Sequence, residues 1–138
     1  MSLNTTPDSY TKLLIHSDTS DGSTTFVDSS AGSHTITAVG TARHDDAQYK
    51  FGASAIELDG NSDYLSIPVS SDWGFGAGDF TIDFWWRIGE SDNEYRICGQ
   101  YETQWRFWRI EKRAHNDTKG ELSFRWDYGP TDTIQTEL

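Results

Sequence analysis

Between residues 59 and 88 the chain alternates between apolar and polar positions more clearly than anywhere else. Phe80, Ile82, Phe84, Trp86 and Ile88 fall on even positions, and Thr81, Asp83, Trp85 and Arg87 on odd ones. A period of two puts the first set on one face of a pleated strand and the second on the other, which predicts a strand over 80–88 with its even face toward a core. Trp85 stands on the polar side, where it is either covered or binds something.

The segments before this one are shorter. Residues 13–15, Leu-Leu-Ile, form a continuous apolar run, the pattern of a strand buried on both sides. Turn residues fill 18–23 and 28–32, with Phe26 and Val27 between them. Ile36 and Ala38 alternate with threonines over 35–39. Residues 41–51 carry no period and are read as loop. A strand is predicted over 53–58, with Ile56 and Leu58 facing in, and another over 64–67 that Pro68 closes. Residues 70–78 form a loop carrying Trp73 and Phe75.

After a polar turn at 89–93, residues 105–110 are apolar on both sides, Trp105 and Phe107 against Trp108 and Ile110. That pattern predicts a central strand covered twice. A loop at 115–120 follows, then a clean alternation of Leu122, Phe124, Trp126 and Tyr128. No segment of three helical turns carries an apolar stripe.

Composition sharpens the fold class. The 138 residues include six Trp, six Tyr and seven Phe, so the core is expected to be aromatic, which suits sheets packed face to face. Twelve Gly with abundant Ser, Thr and Asp mark many turns between short strands. The expectation is an all-β chain, a polar arm at 1–9 followed by one domain over 10–138.

The formal net charge is −11 and no Lys/Arg cluster would track a phosphate backbone, which argues against nucleic acid and anionic membranes as partners. Acidity of this size favours solubility. No apolar run has transmembrane length. The first residues lack the basic start and apolar stretch of a secretory signal, so the chain is either assembled in a cytoplasm or stripped of a leader. Cys98, the one cysteine, sits in a strand context and is read as a buried, inert thiol.

Taken in order, several segments resemble the laminin G-like branch of the concanavalin A-like lectin/glucanase superfamily. They are Leu13 to Asp18, Asp21 to Ser30, Lys50 to Ala55, Leu58-Asp59-Gly60 with Asp63-Tyr64-Leu65, and Gly78 to Trp85. The resemblance spans about residues 10–130, and the ordered series carries it more than any single piece. It implies an antiparallel two-sheet β-sandwich, a jelly roll, of the kind found in bacteriophage tail fibres and head decorations. It therefore implies a virion location after assembly in the host cytoplasm, with secretion or a cell surface as the alternative. Family members usually carry a later strand with Trp and His, and nothing after Tyr128 supplies it. The fold is then part of a longer polypeptide, completed by a neighbour, or reduced; as it stands it is expected to form a homo-oligomer or to dock on a larger assembly.

The frame bears on four chemistries. Glu57-Leu58-Asp59 approaches the active-site strand of glucanases in the superfamily, but Asn61 and Ser62 stand where a second Glu belongs. Glu57 reads as an outward strand residue, and the chain as not an enzyme, with a β-glucanase-like glycoside hydrolase as the alternative. Asp59, Asn61 and Asp63 place three oxygen side chains in one turn, a spacing suited to Ca²⁺, against a self-bonded hairpin turn that needs no metal. The resemblance adds Asp18 and Asp21 as co-ligands; no cofactor is required. His16, His34, His44 and His115 are scattered without zinc spacing, and His44-Asp45-Asp46 reads as solvated loop. Sugar rings stack apolar faces on aromatics, which makes Trp73, Trp85, Tyr101, Trp105 and Tyr128 candidates for binding a glycan or a protein surface, or for core and interface packing. The function expected is a non-catalytic adhesion or structural module.

Overall fold

The computed structural model describes residues 7–87, 94–103, 106–113, 121–127 and 133–137. The chain is all-β with antiparallel pairing throughout its described strands, and its one described helical element is a single 3-10 turn, Ser71–Trp73. It divides into two compact units, Met1–Trp85 and Trp86–Leu138.

In the first unit, β1 (Thr37–Val39) pairs with β4 (Tyr64–Ser66), and β2 (Arg43–Asp45) with β3 (Ala55–Glu57). Isolated bridges join Ile15 to Asp28 and Val27 to Thr35. The turn from β1 to β2 is fixed by Gly40 and Asp63. Gly40 has φ 74, and a Cβ there would collide with the Asp63 carboxylate. That carboxylate accepts from the Thr41 amide at 2.7 Å and the Thr41 hydroxyl at 2.9 Å. Asp63 precedes Tyr64, which lies opposite Val39, so one side chain both closes the turn and seats β4 beside β1.

The second unit is a four-stranded sheet in sequential order, β5 (Tyr95–Thr103), β6 (Arg106–Arg113), β7 (Glu121–Asp127) and β8 (Thr133–Glu137). Directly paired residues share a face. Cys98, Ile110 and Phe124 line up on one face, beside Trp108 and Trp126. Trp108 stacks on Phe124 with ring centroids 6.4 Å apart. The other face is ionic. There Glu111 is buried, its carboxylate 2.6 Å from Arg109 Nε and 3.7 Å from Arg125 Nη1. A carboxylate flanked by two guanidinium groups offsets part of the desolvation that burial imposes on it.

The alternation expected over 35–39 is present through Ala38, with Ile36 and Ala38 half-buried and Thr35 and Thr37 exposed, and that expected over 122–128 is present in its described part, where Leu122, Phe124 and Trp126 share the apolar face of β7. Other expectations are corrected. Residues 80–87 belong to no strand; Ile82 and Phe84 are half-buried, Phe80 and Trp86 exposed, and Phe80 stacks on Phe75 at 4.1 Å instead of on a sheet. Residues 13–15 supply only the bridge at Ile15. Residues 43–45, read as loop, form β2. Ile56 and Leu58 are partly exposed rather than turned into a core. One side of β6 carries Arg109 and Glu111, so that strand is not apolar on both faces. A strand does follow Tyr128: β8 pairs with β7 from Ser123↔Glu137 to Asp127↔Thr133. The turn expected at 89–93 and the loop at 115–120 lie outside the described residues, as does most of the 1–9 arm. Its end is ordered, because Asp8 accepts from the Tyr10 and Thr11 amides at 3.0 and 2.9 Å.

Candidate functional site

The loop after β2 is where aromatic side chains stand out from the first unit. Asp18 anchors it, accepting from the Ala53 amide at 2.8 Å. Gly52, with φ 71, brings the backbone so close that a Cβ there would lie 2.9 Å from the Asp18 carboxyl carbon. A loop pinned at that point presents Tyr49, Lys50 and Phe51 outward. Phe51 meets the indole of Trp85 edge to face, with centroids 5.8 Å apart and an interplanar angle of 76°, while the Lys50 ammonium sits 4.8 Å from the ring centroid. Trp85 nevertheless remains 67% exposed and Phe51 66%. The edge contact and the cation hold the indole in place and leave apolar ring surface in water.

The other aromatic candidates are placed differently. Trp73 is half-buried, its indole N–H donating to the Pro68 carbonyl at 3.1 Å and its ring 4.6 Å from that of His34. Tyr101, in the second unit, is exposed and accepts from Arg109 Nη1 at 2.9 Å, with the Arg96 guanidinium 5.6 Å from its ring. Trp105 and Tyr128 lie outside the described residues.

The Asp59–Asp63 turn closes on itself. Asp59 Oδ1 accepts from the amides of Asn61, Ser62 and Asp63 at 2.8, 2.9 and 3.0 Å, and these bonds hold its carboxyl below the usual carboxylate range. Asp63 is engaged by Thr41 and by the Asp59 amide. Asp18 is tied to Ala53, and Asp21 lies in an exposed turn. Among the described residues no three His, Cys, Asp or Glu side chains gather into a group that could hold a metal ion. As the turn stands, Asp59 Oδ1 faces three amide donors, the bonding of a self-closed hairpin turn. Glu57 is exposed on β3 and pairs with Arg43 Nε at 2.7 Å across the β2–β3 ladder.

Two buried networks carry polar residues that the sequence pattern did not single out. His44 is 1% exposed, stacked on Phe26 at 4.3 Å, and is a strand residue rather than part of a solvated loop. Its Nδ1 lies 2.7 Å from Ser17 Oγ and its Nε2 3.0 Å from the Thr25 carbonyl, so Nε2–H donates to the backbone and Nδ1 is placed to accept from the serine hydroxyl. Asp28 accepts from the amides of Leu14, Ser30 and His34 and from the Ser30 hydroxyl and the His34 ring. Burial alone would raise its carboxyl; the amide donors of His34, Leu14 and Ser30 outweigh that and hold it well below the ordinary range. The only signal for either lay in the turn-rich segments themselves, whose Asp, Ser and His serve equally in solvated loops.

No protein-family model matches this chain, and neither does any curated protein or solved structure.

Proposed function

We propose that this chain is a non-catalytic adhesion module, a laminin G-like jelly-roll sandwich of a bacteriophage virion, that recognises a surface glycan through exposed aromatic rings. The observation that carries the reading is the Trp85–Phe51 pair, held by Lys50 and by the Asp18-anchored loop and still two-thirds exposed. An indole with an exposed apolar face suits the C–H face of a sugar ring. The hydrolase alternative gains nothing from Glu57, whose carboxylate is engaged by Arg43. The scarcity of buried apolar side chains among the described residues, which are Phe26, Ala42 and Ile110, supports a module whose surface is completed by other copies or by another virion protein.

A glycan array, followed by pull-downs against virion proteins, tests the reading. Binding is expected in at least one, and Trp85→Ala is expected to weaken it by about tenfold or more, as removal of a central aromatic contact does. Silence in both from a folded, monomeric protein would overturn it, as would full binding by the Trp85→Ala variant.

A further inference from the structure

His34 stands between two carboxylates. Its Nδ1 is 2.8 Å from Asp28 Oδ2, and its Nε2 is 3.2 Å from Asp72 Oδ2. Asp28 belongs to the segment bridged to Ile15, whereas Asp72 lies in the 3-10 turn Ser71–Trp73. The ring therefore links two stretches of chain that are far apart in sequence. A carboxylate oxygen can only accept, so both contacts are hydrogen bonds only when both ring nitrogens carry protons. A neutral imidazole has one N–H, and its other nitrogen would then point a lone pair at a carboxylate.

We propose that His34 is a protonation-dependent latch that fastens the Ser71–Trp73 turn when its imidazole is charged and releases it when the imidazole is neutral. The two carboxylates do not compete equally for the single remaining proton. Asp28 is buried and fixed by five donors, including the His34 amide itself at 2.9 Å, so the Nδ1–H bond is the one retained. The Nε2–H bond to Asp72 is the one lost. The groups facing the ring are Asp28, Asp72 and the indole of Trp73. The next charge is Lys12, whose ammonium is 3.6 Å from the other Asp72 oxygen. With Nε2 deprotonated, Asp72 is left with Lys12, with the Ser70 hydroxyl at 3.3 Å, and with a lone pair in front of it. The turn's own bonds run from the Trp73 N–H to the Ser70 carbonyl at 3.3 Å, from the Gly74 N–H to the Ser71 carbonyl at 3.1 Å and from the Asp72 N–H to the Ser70 hydroxyl at 3.2 Å. Beyond itself the turn is tied by the Trp73 indole to the Pro68 carbonyl, by Asp72 to Lys12, and by both Asp72 and Trp73 to His34. The latch is closed at low pH and opens as rising pH removes the second ring proton.

Hydrogen–deuterium exchange of the 70–74 amides, corrected for the intrinsic pH dependence of exchange, reads the latch directly. In the full chain, protection at these amides is expected to fall by about tenfold between pH 5 and pH 8, the loss of one charge-assisted hydrogen bond. Protection of the β1–β4 amides is expected to stay level over the same range. The His34→Gln variant is expected to give low, pH-independent protection at 70–74. That substitution also takes a donor from buried Asp28; if it prevents folding, Asp72→Asn leaves the Asp28 network intact and should abolish the pH dependence in the same way. Protection at 70–74 that does not change with pH, or that changes equally in Asp72→Asn, would overturn the proposal.

Discussion

The carboxylate of Asp28 is fully enclosed and accepts from Leu14, from Ser30 and from His34, so one side chain organises residues 14 to 34. Its carboxyl is held below the ordinary range in the folded state, so its ionised form is favoured by folding. A depressed carboxyl contributes stability above the unfolded carboxyl pKa of about 3.9 and loses it as pH falls through the folded value. Asp28→Asn should accordingly cost about 3 kcal/mol near neutrality, the scale of breaking a buried charged network, with the gap from the native chain narrowing in acid below about pH 4. Urea denaturation at pH 7 and at pH 3 checks both parts. Neither this role nor that of His44 was legible in the sequence, because Asp, Ser and His in a turn-rich stretch look alike whether they point into water or into the protein. Trp85 was legible. A large indole on the polar parity of an alternating segment is out of place, and the structure leaves it in solvent beside Phe51.

In β5, Cys98 lies on the apolar face opposite Ile110, where burial pushes its thiol up to about 11 and the Ile110 backbone only partly offsets the rise. The thiolate is the nucleophile, so Cys98 should react with Ellman's reagent at pH 7.5 many times more slowly in the native chain than in denaturant. Rapid native labelling would contradict the placement. The strand position of Cys98 was readable from its context, although its side chain is half-buried rather than buried; β7 and the half-buried Ile36 and Ala38 before and within β1 were readable too, since period-two patterning reports which side chains share a face. Periodicity does not report whether a pairing partner exists. Residues 80–87 have the alternation and no partner among the described strands, while β8, with Thr133, Ile134 and Thr136, has a partner in β7 and little apolar pattern. The ionic side of β6 was not legible because Arg109 stands inside the 105–110 run among its aromatic neighbours and Glu111 falls just past it.

The described residues bury little apolar surface. Phe26, Ala42 and Ile110 are their buried apolar side chains, while Asp28, His44, Glu111 and Lys112 are buried beside them, and Phe51, Tyr64, Val69 and Trp85 stand largely in water. Leaving a large apolar side chain exposed forgoes about 1.5–3 kcal/mol relative to burial. A chain with this distribution is expected to gain stability from whatever covers it, and the proposed adhesive role requires such a surface. The all-β class and the antiparallel pairing were readable in advance from turn spacing and aromatic content. How completely the strands close on one another was not, because closure depends on pairings that local patterns leave open. The surface is tested most directly by light scattering of the purified chain at low micromolar concentration, with a hydrophobic dye added in parallel. The account predicts either a mass that is a multiple of 15.6 kDa or a monomer that binds the dye and loses it when a partner is added. A well-folded monomer that binds no dye would contradict it.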